Sequence, residues 1–433
     1  MKKIIIEGPS KINGFLKLQG SKNSMLINLA LPLLTDEECI ISNVPRIADI
    51  ELNLSILQDL GGKVRWLNNH TVSIKWDEIS KAEIDPNLAI KTSSSKFFIP
   101  LLVKRLGQIF SGPSLGDDIG LDRGFSKFIN LMHDFGILFE KSGNGYIFYL
   151  DNTRKPIEEI SLSFPSFSAT VGAVLANVLG NSRIKIHNIH LAPEIENAFQ
   201  MLTAMGAKIK TEDSSIEVEG VERLHRVNFE NLSDRNALVT FTAVSLITSG
   251  SISIKSSTPL RFLKLEAFWD FLDRMGAKYK KDENGLTVSP STNLRPTDVY
   301  AYMWPNFHSD WQPLIAPLLT QISGESSIVD DLFEKRFGYW DELGKMGAKY
   351  DLFRPINSRF KDDKFHGVEI FGPTKLQGAE VRAPDLRGGA SLIIAGLVAD
   401  GRTTIENVEQ IERGYEDIVE VLSGLGASIS YEH

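Results

Sequence analysis

The chain has 433 residues, with 47 Lys and Arg against 55 Asp and Glu, for a formal charge of −8. Hydrophobic residues make up 42% and charged residues 24%, the balance of an ordinary globular protein long enough for two domains, which excludes a disordered chain. The acidic surface argues against non-specific binding to nucleic acid, no apolar run approaches the ~18 residues of a membrane span, and the one cysteine, Cys39, excludes an internal disulfide or a cysteine-built metal cage.

The chain opens Met1-Lys2-Lys3-Ile4-Ile5-Ile6-Glu7, in which three apolar residues meet a charge. That is a strand, not a secretion signal, and a cytoplasmic location is the default. The stretch Ile6-Glu7-Gly8-Pro9-Ser10-Lys11-Ile12-Asn13-Gly14 has an echo at Ile370-Phe371-Gly372-Pro373-Thr374-Lys375-Leu376-Gln377-Gly378. Further along, a short signature recurs: Leu60-Gly61-Gly62-Lys63-Val64, Met205-Gly206-Ala207-Lys208-Ile209, Met275-Gly276-Ala277-Lys278-Tyr279 and Met346-Gly347-Ala348-Lys349-Tyr350. Weaker copies stand at Phe135-Gly136-Ile137 and Leu425-Gly426-Ala427. The six glycines are 75, 70, 70, 71 and 79 residues apart, so six repeats are expected.

An amphipathic helical stretch precedes each glycine, as in Glu194 to Leu202, and the glycine suits a helix C-terminal cap. A strand follows, then a polar turn such as Ser142-Gly143-Asn144-Gly145, then a second strand, which reads as a hairpin. Upstream in each unit lies a more apolar helix, such as Leu238 to Ile247, followed by a strand. A helix apolar nearly all round belongs inside a layered domain. Six such units make an α/β protein with three per domain. The last unit stops at Tyr431-Glu432-His433 without its second hairpin strand, and the first residues of the chain are expected to supply it. The domains expected are therefore 21–229, and 1–20 with 230–433, joined by a hinge that the chain crosses twice.

The apolar helices start at polar loops: Ser21-Lys22-Asn23-Ser24, Ser93-Ser94-Ser95-Lys96, Ser166-Phe167-Ser168, Ser233-Asp234-Arg235-Asn236, His308-Ser309-Asp310 and Asp385-Leu386-Arg387-Gly388-Gly389. Exposed N–H groups and partial positive charge at helix starts attract anions, so two domains closing on an anionic ligand is one reading. Ordinary capping is the other, and for any single loop the stronger. Lys22, Arg387 and the glycines beside it exceed what a cap requires. Arg336 and Arg413 fall at the starts of amphipathic helices, where a cation opposes the helix dipole; an anionic partner or an exposed ion pair accounts for either. The segment from about 111 to 124 carries four glycines and three aspartates and suits an active-site lid or a solvated surface loop. There is no phosphate-binding P-loop, no dinucleotide fingerprint and no His pair at metal spacing.

Gly20-Ser21-Lys22-Asn23, Pro305-x-Phe307-x-Ser309-Asp310-x-Gln312, Phe333-Glu334-x-Arg336-Phe337, Asp385-Leu386-Arg387 and Arg413-Gly414-Tyr415-Glu416 together resemble the enolpyruvyl (carboxyvinyl) transferases over the whole chain. Within them the chain is most similar to the branch whose acceptor is UDP-N-acetylglucosamine. The shikimate-phosphate branch's Asn-Ala-Gly-Thr-x-x-Arg segment is missing near Ser93. The resemblance implies two inverted α/β barrel domains of three repeats each, and transfer of the enolpyruvyl group of phosphoenolpyruvate to a hydroxyl with release of phosphate. The reaction it implies goes by addition and elimination, needs no cofactor or metal, and belongs to peptidoglycan precursor synthesis.

By the same resemblance Lys22, Arg123, Arg336 and Arg413 hold the phosphate and carboxylate of phosphoenolpyruvate. Asp310 is the general base on the acceptor hydroxyl, Asn23 and Ser166 bind the acceptor, and Asp385 and Arg387 support the site. Aspartate stands at Asp117 where most members carry a lid cysteine; an acid there still serves proton transfer, and it cannot form the thioether through which fosfomycin inactivates the cysteine enzymes. The lid's Arg-Pro-Val-Asp-Leu is replaced by Arg123-Gly124-Phe125-Ser126-Lys127; the family's arginine near Ser93 is absent, with Lys96 the candidate to replace it, and so is its lysine before Ser166. The acceptor side thus departs from the pattern more than the phosphoenolpyruvate side. The alternatives are the same chemistry on another nucleotide or nucleoside in secondary metabolism, or a non-catalytic homologue.

Overall fold

The glycine that closes each amphipathic helix has a positive φ: +104° at Gly61, +74° at Gly136, +104° at Gly206, +78° at Gly276, +90° at Gly347 and +107° at Gly426. At Gly206 the reason is local. The Pro193–Ala204 helix must end and turn into the Lys208–Glu212 strand. Gly206 N donates to Thr203 O at 3.0 Å and Ala207 N to Leu202 O at 2.9 Å, so the last carbonyls of the helix stay bonded. A side chain at φ near +100° would crowd the carbonyl of the preceding residue, which glycine avoids. These positions come from a computed structural model that describes residues 2–114, 124–360 and 363–432. The expected lid, with Asp117 and Arg123, lies mostly outside the described residues.

Each repeat builds one sheet to one plan. In the third, Glu159–Ser161 runs parallel to Arg183–His187, which pairs antiparallel with Ser215–Glu219, which in turn pairs with Lys208–Glu212. The Phe167–Asn177 helix makes the crossover that a parallel pair requires. Among the described residues, five sheets have four strands, and that of the fifth repeat has five, through the added Phe307–His308.

Three sheets take a strand from elsewhere in the chain. Asn228–Glu230 lies parallel to Cys39–Ser42 in the first repeat, and Asn13–Lys17 parallel to Ser251–Lys255 in the fourth. In the sixth, Lys3–Gly8 sits between Gly401–Glu406 and Ile429–Glu432, antiparallel to both. The described residues consequently divide into one compact unit within 20–232 and another made of 2–19 with 233–432. Asn228–Glu230, paired back to the first repeat, lies inside the unit that runs to 232. In the first unit Ser21 N donates to Leu232 O at 2.6 Å; in the second, Asp234 N donates to Gln19 O at 2.9 Å.

Both units place helices inside and sheets outside. Every residue of Arg235–Ile247, Gln312–Leu319 and Leu386–Gly396 is buried, and these three helices pack on one another within the second unit. Burial all round leaves no water for hydroxyl groups. Thr240 and Thr242 therefore return theirs to the carbonyls of Asn236 and Leu238, four residues back, at 2.8 and 2.7 Å. In the other unit Phe98–Leu106 and Phe167–Asn177 pack together in the same role. Cys39 is fully buried, and burial pushes its thiol up to about 11.

Replacing Gly206 by Ala should lower the melting temperature of its unit by about 2–4 °C, the equivalent of about 1 kcal/mol. Gly424→Ala is the control: the residue ends the Ile418–Gly424 helix with nothing within 4 Å of an added Cβ, so the melt should hold or rise slightly. Equal shifts for the two would remove the cap from the explanation.

Candidate active site

In the first unit Ser21 caps the Lys22–Asn28 helix by accepting from Ser24 N at 3.3 Å. Lys22, the first helical residue, is 6% exposed, and its ammonium lies 2.7 Å from Asp49 Oδ2. Asp49 is in the first turn of the Ala48–Asp59 helix, where the dipole favours a carboxylate. Asn53, one turn on, donates to Asp49 O at 2.7 Å and accepts from Ser94 Oγ at 2.9 Å. A buried cation is tolerable when paired and bonded in this way, and removing one partner of such a pair costs about 3–5 kcal/mol. The start of the helix is fixed a second time by amides. Ser24 Oγ and Asn28 Nδ2 donate to Asn197 Oδ1 at 2.6 and 3.0 Å, and Asn231 Nδ2 holds Ser21 O at 3.0 Å.

Asn23 is half-buried beside Lys22. Lys96, 3% exposed, places its ammonium 5.8 and 6.0 Å from the ring centres of Phe97 and Phe128. Ser166 caps the Phe167–Asn177 helix, its Oγ accepting from Ala169 N at 3.3 Å, so the capping reading accounts for that hydroxyl.

In the second unit the turns before two buried helices meet the segment 332–338. Asp310 stands between the Phe307–His308 strand and the Gln312–Leu319 helix, whose first turn has no side-chain cap. Its carboxylate goes instead to two guanidinium groups. Arg336 Nη2 donates to Asp310 Oδ1, and Arg387 Nε lies 3.5 Å from Oδ2. Arg336 Nη1 is also 3.6 Å from Asp385 Oδ1. That same oxygen caps the Leu386–Gly396 helix, accepting from Arg387 N at 2.9 Å and Gly388 N at 3.0 Å. Asp385 is therefore both cap and counter-charge.

Both arginine side chains are 2% exposed. Burial pulls Arg387 down, but Tyr415, Asp310 and Asp234 outweigh it, and the guanidinium is held above its ordinary range. Its carbon lies 5.3 Å from the ring centre of Tyr415, whose hydroxyl meets Thr240 Oγ1 at 2.8 Å. Two donors are left over. Arg336 Nε and Arg387 Nη1 are buried with no hydrogen-bond partner among the described residues. An unmet buried donor costs about 1–3 kcal/mol, so this cluster is suited to an added anion.

Two expectations need correction. Arg413 does not open a helix: it is the C-cap of Glu409–Glu412, where a cation is favoured, and Nη1 donates to Gln410 Oε1 at 3.3 Å. Its place in the chain is fixed by Gln19, which donates to Gly414 O and accepts from Glu416 N, both at 2.9 Å. Nor do Gly388 and Gly389 require a ligand. An added Cβ would meet Pro384 Cγ at 2.7 Å or Ile411 Cγ1 at 2.5 Å, so helix packing explains both. Sequence reasoning missed Asp49, which carries no motif and lies far from Lys22 along the chain. Among the described residues, no group of three or more His, Cys, Asp or Glu is placed to hold a metal ion.

The chain is similar to known proteins along nearly its whole length. The family model for EPSP synthase (3-phosphoshikimate 1-carboxyvinyltransferase) matches residues 6–422. UDP-N-acetylglucosamine 1-carboxyvinyltransferase of Kosmotoga olearia is 32% identical over 431 residues, and that of Halothermothrix orenii 33% over 434, each match covering 99% of both chains. The crystal structure of the enolpyruvyl transferase NikO from Streptomyces tendae superposes with a TM-score of 0.89 at 23% identity, covering 99% of this chain and 98% of that one. EPSP synthase from Acinetobacter baumannii gives 0.73 at 16% identity over the full length of both. A two-unit inside-out fold, a match along nearly the whole sequence and relatives named for one chemistry agree: this chain belongs to the EPSP synthase family and is an enolpyruvyl (carboxyvinyl) transferase.

Proposed function

We propose that the protein transfers the enolpyruvyl group of phosphoenolpyruvate to a hydroxyl of UDP-N-acetylglucosamine, releasing phosphate, as a step of peptidoglycan precursor synthesis. The observation that carries this reading is the pair of buried arginines around Asp310 with two donors unspent, in a chain about a third identical to enzymes named for that reaction. Phosphoenolpyruvate brings a phosphate and a carboxylate, and guanidinium forks suit both. Lys22, Arg123, Arg336 and Arg413 serve those two groups, with Asp385 and Arg387 in support, while Asn23 and Ser166 serve the acceptor.

In the addition step the acceptor oxygen bonds to C2 of phosphoenolpyruvate, its proton passes to Asp310, and C3 takes up a proton to become a methyl group. In the elimination step the C2–O bond to phosphate breaks, C3 returns a proton, and the double bond re-forms. The products are the enolpyruvyl ether and inorganic phosphate. Asp117 is assigned to proton transfer in place of the usual lid cysteine. No step requires a cofactor.

A second reading keeps the chemistry and changes the acceptor to another nucleotide or nucleoside. The observation favouring it is Pro165 directly before Ser166, where the family places a lysine, together with the altered Arg123-Gly124-Phe125 sequence. A pyrophosphate acceptor loses a counter-charge there. Phosphate release measured with phosphoenolpyruvate and each candidate acceptor in turn separates the two readings; silence with all of them leaves a non-catalytic homologue.

Asp310→Asn should lower kcat at least ~100-fold while acceptor affinity stays within about tenfold, since a general base contributes about 10²–10⁴ to rate. Unchanged turnover would take Asp310 out of the chemistry. Phosphate release should survive prolonged incubation with fosfomycin, and progressive inactivation would contradict the role given to Asp117. Cys39→Ala should leave the rate within about twofold, because a thiol pushed to about 11 is not a nucleophile near neutrality.

A further inference from the structure

Asp330 ends the Gly324–Asp330 strand with its side chain wholly enclosed, at 0% exposure. A carboxylate is left in such a place when neighbours bond it. Ser309 Oγ donates to Oδ2 at 2.5 Å and Gln312 Nε2 to the same oxygen at 3.4 Å, while Leu332 N donates to Oδ1 at 2.9 Å. Gln312 Oε1 in turn accepts from Tyr339 OH at 2.5 Å. Burial pushes Asp330 above the usual carboxylate range against Ser309, Leu332 and Arg336, and pushes Tyr339 well above its own. None of the roles assigned to the reaction uses this group.

The chain positions of its partners give it one. Ser309 directly precedes Asp310, and Gln312 opens the helix that follows. Leu332 begins the segment that leads to Arg336, and Tyr339 opens the helix after that segment. Each loop is therefore held on both sides of its charged residue, and the two sets of ties converge on one carboxylate. We propose that Asp330 is the positioning residue that sets the Asp310 carboxylate against the Arg336 guanidinium, by fastening the turn that bears the one to the turn that bears the other.

The inference rests on the assignment of Asp310 as the base. A base displaced by about 1 Å loses about 10²-fold in rate, while substrate contacts made by other residues persist. The expected signature is a fall in kcat with KM little changed. An asparagine at 330 keeps one oxygen for Leu332 N and an amide to which the Ser309 hydroxyl can turn, so it restores most of the geometry.

The test uses the full-length protein, with phosphate release and thermal melting measured for Asp330→Ala, Asp330→Asn and Ser309→Ala. Asp330→Ala should lose about 100-fold in kcat with both KM values within about threefold, and Asp330→Asn should recover to within about tenfold of the parent. Ser309→Ala, which removes a single hydroxyl, should lose about tenfold with an unchanged melt, and it decides the matter where Asp330→Ala does not fold. A kcat for Ser309→Ala within twofold of the parent, or losses that track the fraction of folded protein, would overturn the proposal. If the parent itself releases no phosphate, the proposed reaction fails separately. Crystals of parent and Ser309→Ala then decide the positioning role: loss of the Arg336–Asp310 contact supports it, and an unaltered contact refutes it.

Discussion

A guanidinium buried to 2% exposure is tolerated only where fixed negative charge or an oxygen faces it, and in the second unit two such groups share the same few carboxylates. Asp310 answers both Arg336 and Arg387, and Asp385 answers Arg336 while capping a helix. Much else follows from that constraint. Both carboxylates lie just ahead of buried helices, Asp310 before Gln312–Leu319 and Asp385 at the N-cap of Leu386–Gly396. The Tyr415 ring covers the remaining side of Arg387, and Thr240 on a third helix fixes the Tyr415 hydroxyl.

The inside-out architecture makes such a cluster affordable. Helices buried all round present their N-termini, not their flanks, as the polar part of the interior. The same logic operates in the first unit. Lys22 begins a buried helix and is answered by Asp49 from the first turn of another. A cation and a carboxylate are thus brought together by helix starts rather than by neighbouring sequence positions.

This explains what was legible in the sequence. Helix ends are local: a glycine after an apolar-periodic stretch announces its cap, and all six of those glycines have the positive φ that the pattern implies. Asp310, Arg336, Asp385 and Arg387 were found through short motifs, and direct contacts link all four, Arg336 to Asp310 and Asp385, and Arg387 to Asp310. Asp49 and Asp330 were not found, because a carboxylate that answers a charge or hydroxyl distant in the chain leaves no mark on its own surroundings. The dipole argument for Arg413 failed for a similar reason: the position of a four-residue helix is set by tertiary contacts such as Gln19, not by periodicity. Gly388 and Gly389 were over-read, since close packing of a helix asks for the same residue type as a ligand does.

The central place of Lys3–Gly8 in the last sheet bears on how the chain is made. Its two partners, Gly401–Glu406 and Ile429–Glu432, are made long after it, so an apolar Ile4-Ile5-Ile6 strand waits with both edges unfilled while the intervening chain is synthesised. The 20–232 unit has its described strands by then and is free to fold first, whereas its companion is sealed only when those two strands arrive. Such a waiting edge is where chaperones or unwanted aggregation would act. Lys3 and Glu432 end as cross-strand neighbours, so a permuted gene joining them through a short turn would let the last sheet assemble from consecutive segments.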